Sequence, residues 1–185
     1  MPLREPMNGA GPLRGAPRCE RRSRSRERGP APSDTDRRMM AHALDLARSA
    51  AEAGEAPVGA VMYETATGRV LGEAGNARES ASDPLGHAEV LAIRRAARAL
   101  GDWRLNECTL VVTLEPCCMC AGAIVNARVG RVVFGADDSK AGAVRSLYRL
   151  LEDPRLNHRL TPIRGVMAGE SAALLREFFR ARRRP

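Results

Sequence analysis

The spacing of hydrophobic and polar positions changes several times along this chain, and each change marks an element. Met40, Ala43, Leu44, Ala47 and Ala51 recur at helical spacing with acids and arginines between them, predicting a first helix from Asp36 to near Gly54. Pro57 to Met62 reads as a strand, Thr65 to Gly68 as a turn, and Val70 to Gly75 as the hairpin partner. After a break at Asp83-Pro84, Ala88 to Leu100 carries Val90, Ile93, Ala97 and Leu100 on one face with arginines opposite, an amphipathic helix led by His87. The short β-branched run Thr109 to Leu114 predicts a buried strand. Pro116 suits the start of the helix that follows, since Met119 to Ala127 holds no breaker but Gly122. A strand at Arg131 to Gly135, a loop through Asp137 to Gly142, a short helix near Ser146 to Leu151, a strand around Ile163 to Met167 and a last helix from Ser171 complete the order. Strands alternating with helices predict an α/β sandwich.

Composition narrows this picture. Residues 1–35 are rich in Pro, Gly, Ser and Arg without apolar periodicity, so they cannot bury enough surface to offset the entropy of ordering and read as a disordered tail. Residues 36–185 then form one domain. Arg21 to Arg26 in the tail reads as exposed linker, with contact to RNA phosphates the alternative. The chain lacks any apolar run near the ~20 residues needed to cross a bilayer, which argues against a membrane protein. Of the 30 Lys+Arg and 22 Asp+Glu, residues 1–35 hold 8 and 4, so half of the net charge of +8 belongs to the tail. An odd number of cysteines, 5, with Cys117, Cys118 and Cys120 clustered, suits a metal or redox site in a reducing cytoplasm better than a disulfide framework.

The cysteine cluster sits where a buried strand meets a helix start. There the free backbone N–H groups and the positive end of the dipole favour thiolate, the form that binds metal. Cys117 and Cys120, three apart, converge on one face; Cys118 points about 100° away and is expected to be a packed thiol. Redox dithiols and structural zinc sites share the Cys-x-x-Cys spacing, so the pair alone does not decide. His87-Ala88-Glu89 adds a second half-site at another helix start, where one residue can bind metal while the other reaches past it. One neutral imidazole and two thiolates give zinc three protein ligands and leave a fourth tetrahedral position open, as catalytic sites require.

On these residues the chain resembles the cytidine deaminase-like superfamily, and within it the bacterial tRNA-specific adenosine deaminases. The similarity runs over about residues 37–184 and includes Pro57 to Val61, Asn76, Val132 to Ala136, Asp138 to Ala143, Asn157-His158-Arg159 and Ala173 to Arg180. Leu85-Gly86, Asp137 and Arg145 depart from the usual pattern, which has Thr-Ala, a basic residue and a small one there. The resemblance implies a three-layer α/β/α sandwich with a mixed, about five-stranded central sheet. It implies one Zn²⁺ per subunit on His87, Cys117 and Cys120, with Glu89 as the catalytic proton carrier. Asn76 and Asn157 would contact the flipped nucleotide, Phe178 or Phe179 would stack nearby, and Asp138 would touch backbone or ribose. Core packing is the alternative for either ring, and loop capping for Asp138. The expected activity is hydrolytic deamination of the wobble adenosine of a tRNA anticodon to inosine, by a cytoplasmic homodimer that binds the anticodon stem-loop. Two alternatives stay open: a guanine- or cytosine-type free-base or nucleoside deaminase, and a non-enzymatic zinc module closed by Cys118 or Cys108. The arginines of the last helix, Arg176, Arg180, Arg182, Arg183 and Arg184, favour a phosphate-bearing substrate.

Overall fold

A computed structural model describes residues 31–183. The tail reading falls outside the described residues over 1–30, as does Arg184. The elements are α1 (Asp34–Glu52), β1 (Gly59–Glu64), β2 (Val70–Gly75), α2 (Ala88–Leu100), β3 (Cys108–Leu114), α3 (Cys118–Asn126), β4 (Arg131–Ala136), β5 (Ile163–Arg164) and α4 (Ala168–Arg182), with a 3-10 turn at Leu150–Glu152. The strands form one 5-stranded sheet in the order β2-β1-β3-β4-β5. β1 is antiparallel to both β2 and β3, whereas β3, β4 and β5 run parallel, so the sheet is mixed as expected.

Period-2 alternation sends successive side chains of each strand to opposite faces, and each face is covered by helices. Ala60, Met62, Leu110, Val112, Val132 and Phe134 join Ala92, Ala96 and Ile124 of α2 and α3 in one core. Tyr63, Val111 and Val133 join Met40 of α1 and Val166 ahead of α4 in the other. Small residues let the layers close. A Cβ on Gly59 would run into the Ala43 carbonyl and lie 2.8 Å from the Ala47 nitrogen, so β1 lies on the backbone of α1. Gly59→Val is therefore expected to cost about 1–3 kcal/mol or more from overpacking, read as a lower denaturant midpoint. An unchanged midpoint would mean that α1 moves freely on the sheet.

At the start of α1 the Ser33 hydroxyl accepts from the Asp36 amide at 3.1 Å while Asp36 Oδ2 accepts from the Ser33 amide at 2.6 Å. The fully buried Asp36 carboxylate also accepts from the Tyr63 hydroxyl and from Arg131, each at 2.6 Å, tying α1 to β1 and β4.

The structure departs from the sequence reading at several element bounds. β1 begins at Gly59 rather than Pro57, the segment expected to be helical from Ser146 yields only the turn at Leu150–Glu152, and β5 stops at Arg164 rather than Met167. Gly165 (φ 80) and Met167 (φ 51) turn the chain in the left-handed region and end β5. α4 follows at once, three residues ahead of Ser171.

Candidate metal centre

The carboxyl ends of β2 and β3 lie on one edge of the sheet, because both strands run opposite to β1. Gly59 at the start of β1 pairs with Gly75 at the end of β2, and its amide donates to Thr113 Oγ1 near the end of β3 at 3.1 Å. Two helices start at this edge. His87 is the N-cap residue of α2 and Cys117 that of α3, both with extended backbone (φ −76, ψ 141 and φ −74, ψ 177). Neither side chain caps its helix, so both are free to turn toward each other.

The result is a triangle of donor atoms. Cys117 Sγ and Cys120 Sγ are 3.6 Å apart, and His87 Nδ1 lies 3.7 Å from the first and 3.4 Å from the second. Among the described residues, His87, Cys117 and Cys120 are the group that could hold a metal ion. The fit to zinc can be checked from bond lengths alone. Bonds of about 2.3 Å to sulfur and about 2.0 Å to nitrogen at tetrahedral angles put the ligand atoms about 3.5–3.8 Å apart, close to all three separations.

Electrostatics point the same way. The thiol–thiol contact, opposed by burial and helped by His87, holds Cys117 down at about 3, while the same contact and burial push Cys120 far up. Two adjacent thiols sharing one proton become two thiolates when a dication replaces that proton. The Cys117 contact raises the His87 pKa against the effect of burial. Glu89, in the first turn of α2 and only 4% exposed, has its carboxyl pushed up chiefly by burial, with His87 pulling the other way. Cys118 is exposed, not the packed thiol that the sequence suggests, because in the first turn of α3 it faces away from both sheet and triangle. Cys108 is buried at the opposite end of β3, so neither cysteine joins the group.

The remaining sequence-predicted residues divide by position. Asn76 follows β2, and the next amide, of Ala77, donates to the Gly86 carbonyl at 2.8 Å, so Asn76 is held beside the approach to His87. Asp138 lies in a loop whose Gly142 bridges to Cys117; its Oδ1 accepts from the Lys140 and Ala141 amides at 2.9 and 3.2 Å, capping its own loop. Phe178 is half-buried and Phe179 is 47% exposed, so neither is a core ring; they meet edge to face at 5.3 Å, with Arg182 over Phe178 and also donating to the Gly54 carbonyl. Asn157 is not brought to the triangle. Its Oδ1 accepts from Arg128, just past the far end of α3, about 13 Å along the helix from Cys117, and it lines an open depression of ≈ 510 Å³ with Arg159.

Two buried carboxylates with no assigned role in the sequence hold the loops at this edge. Glu115, 2% exposed, accepts from the amides of Asp138, Val144, Arg145 and Ser146 and from the Ser146 hydroxyl, fastening the 138–146 loop beside Cys117. Glu55, 1% exposed, accepts from Asn76 Nδ2 at 3.2 Å, the Arg78 amide at 3.1 Å and both the amide and hydroxyl of Ser80 at 2.7 and 2.8 Å. The available cue was an acid beside a buried strand: Glu115 just after β3, and Glu55 shortly before β1.

Burial works to raise the Glu55 and Asp36 pKa values, but their hydrogen bonds outweigh it, bringing Glu55 from 4.5 to about 2 and Asp36 below 3.8. A depressed carboxylate supplies stability that is complete above its unfolded pKa and is lost as pH falls through its folded one. The thermal midpoint is accordingly expected to fall as pH drops below about 4.5, and to fall less steeply in Glu55→Gln. A midpoint that stays level down to pH ~3 would contradict these assignments.

A sheet of this order with a His/Cys/Cys group at paired helix starts is the arrangement of the cytidine deaminase-like fold. The chain belongs to the MafB19-like deaminase family, whose model matches residues 34–183, and within it to the tRNA-specific adenosine deaminases. It is 46% identical over 151 residues to the tRNA-specific adenosine deaminase of Haemophilus influenzae, covering 82% of this chain and 87% of that one. A solved structure from a study of A-to-I editing at the wobble position of transfer RNA superposes with a TM-score of 0.71 at 44% identity, over 75% of this chain and 99% of the other. The guanine deaminase of Nitrosomonas europaea is similar at 25% identity, with a TM-score of 0.67 over 77% of this chain and 83% of that one.

Proposed function

We propose that this chain hydrolyses the wobble adenosine of a tRNA anticodon to inosine and ammonia. The observation that carries this reading is the His87/Cys117/Cys120 triangle at zinc spacing beside a buried Glu89, in a chain 46% identical over 82% of its length to the adenosine deaminase of Haemophilus influenzae, against 25% over 77% for the guanine deaminase of Nitrosomonas europaea and 39% over only 54% for that of Bacillus subtilis. In this reading one Zn²⁺ per subunit is held by His87 Nδ1 and the two thiolates. Zinc in such a site lowers the pKa of a bound water from about 16 toward about 7 and so supplies hydroxide near neutral pH.

The chain's own residues do the rest. Glu89 takes one proton from the attacking water and passes it to ring N1 of the adenine, then takes the proton left on the added oxygen and passes it to the departing amine, ending the cycle as it began. The water oxygen becomes the C6 carbonyl, and the amine leaves as ammonia. Burial pushes the Glu89 carboxyl pKa up, which favours holding the proton taken from water until it is passed on. Asn76 contacts the extruded nucleotide, Asp138 orients the loop over it and touches backbone or ribose, and Phe178 or Phe179 offers a stacking surface on the α4 rim. Asn157, at the far end of α3, contacts RNA outside the base pocket. Arg176, Arg180 and Arg183 bind phosphates of the stem in a salt-dependent way.

The active form in this reading is a cytoplasmic homodimer whose deaminase domain begins with the Ser33 cap of α1, a few residues ahead of the boundary at 35/36 that the sequence suggests. Exposed Leu147 and Tyr148 support the dimer, because these large apolar side chains stay uncovered in the segment whose Leu147 amide donates to the carbonyl of Gly142, the residue that bridges to Cys117. No described helix is long and apolar enough to cross a membrane.

Incubating the purified protein separately with total tRNA, an anticodon stem-loop, guanine, cytosine, adenine and cytidine tests the substrate. Ammonia and inosine are expected from the two RNAs alone, since a base in a single-stranded loop is cheap to extrude. Release of ammonia from guanine or cytosine with untouched RNA would favour the free-base reading instead.

A further inference from the structure

We infer that Glu55 is a positioning residue that fixes which way the Asn76 amide faces, so that Asn76 presents its carbonyl oxygen as an acceptor for a hydrogen-bond donor of the bound nucleotide. This rests on the proposed deamination, because it names a contact of the same site.

An ionised carboxylate accepts hydrogen bonds and donates none, so the group of Asn76 that meets Glu55 Oε2 at 3.2 Å has to be Nδ2. The choice between the two amide flips, ambiguous for most asparagines, is settled here by chemistry. Glu55 stays ionised throughout the working pH range, because the Ser80, Glu79 and Arg78 donors hold its carboxyl at about 2 despite burial. Its lone pairs are also committed: Oε1 to the amide and hydroxyl of Ser80, Oε2 to Asn76 and the Arg78 amide. Glu55 itself is 1% exposed and has no route to substrate.

Asn76 Oδ1 has no donor among the described residues, and none of their buried polar side-chain atoms lacks a partner, so this oxygen reaches solvent. It does so beside the approach to His87, where the Ala77 amide is pinned to Gly86. Within an RNA strand the adenosine offers an acceptor oxygen two donors, the ribose 2′-hydroxyl and the exocyclic amine of adenine. The Arg182 contact to the Gly54 carbonyl ties the neighbouring backbone to α4, which holds the Glu55 anchor in place as RNA binds the helix.

The test is a polarity swap read on the anticodon stem-loop, with zinc content and kcat and KM measured separately. Glu55→Gln introduces an amide donor, lets Asn76 flip and is expected to lower kcat/KM about tenfold, mainly through KM, with zinc retained. Asn76→Asp alone sets two carboxylates together and is expected to lose about a hundredfold or more. Combining Glu55→Gln with Asn76→Asp restores a donor facing an acceptor and leaves an oxygen toward the substrate, so activity should recover to within about tenfold of the parent, short of full because the Arg78 amide loses its acceptor. Ser80→Ala, which spares the Asn76 contact, should lower thermal stability and leave KM unchanged. A double variant no better than Asn76→Asp, or a KM shift in Ser80→Ala equal to that of Glu55→Gln, would overturn the assignment.

A stem-loop with a 2′-deoxy wobble adenosine separates the two donors: loss of rate in the parent but not in Asn76→Ala identifies the ribose, and equal response identifies the amine. If the parent enzyme itself leaves the stem-loop unchanged, the deamination reading fails. The orientation is then decided by NMR with isotope-labelled asparagine. Slowly exchanging Asn76 side-chain amide protons that become fast in Glu55→Gln support it, and identical exchange in both proteins overturns it.

Discussion

Glu89→Gln keeps its fold and its zinc but loses turnover by roughly two to four orders of magnitude, the usual contribution of a positioned general acid–base group. The amide preserves the shape of a side chain that is only 4% exposed in the first turn of α2, so packing is spared. It cannot pick up the proton of water or hand one to the leaving amine. The loss should appear in single-turnover rates with KM little changed, because Glu89 acts on the transition state rather than on binding of the RNA. Turnover near the parent level would remove Glu89 from the mechanism.

Loss of zinc is the second large effect. His87→Ala, Cys117→Ala and Cys120→Ala should each abolish stoichiometric zinc and activity together, since each leaves two donors where three lie 3.4–3.7 Å apart. Cys118→Ala should keep both, because that thiol is exposed and outside the group. Binding to the folded state alone also adds stability, so a chelator should lower the melting temperature of the parent protein and of Cys118→Ala but not of the three depleted variants. Zinc lost from Cys118→Ala and kept by Cys117→Ala would refute the assignment.

How far the sequence foretold this arrangement depends on where each determinant lies. α2 and β2 were legible residue for residue, because apolar positions repeat at the helical period from Ala88 to Leu100 and a turn fixes the start of the strand at Val70. The donor triangle was legible because both half-sites sit at helix starts, which local sequence marks well. The segment after Ser146 was not, since its course is set by Glu115, whose carboxylate takes the Val144, Arg145 and Ser146 amides from 29 to 31 residues away. β5 was overextended for a different reason: Ile163 to Met167 looks apolar and strand-like, yet Gly165 and Met167 adopt positive φ and close it after Arg164. The exposure of Cys118 was hidden because a nine-residue helix packed along one side leaves even apolar positions uncovered. Glu55 escaped notice since its partners, Asn76 and Ser80, are 21 and 25 residues distant, and buried acids identify themselves through contacts that spacing does not reveal.

The most direct measurement is conversion of an anticodon stem-loop in heavy-oxygen water, with the product nucleosides resolved by mass spectrometry. One heavy oxygen should enter at the wobble adenosine for each ammonia released, other adenosines should stay unlabelled, and both signals should vanish in Glu89→Gln. Unlabelled inosine, labelling spread over other positions, or full conversion by zinc-free protein would contradict hydrolytic deamination at this site.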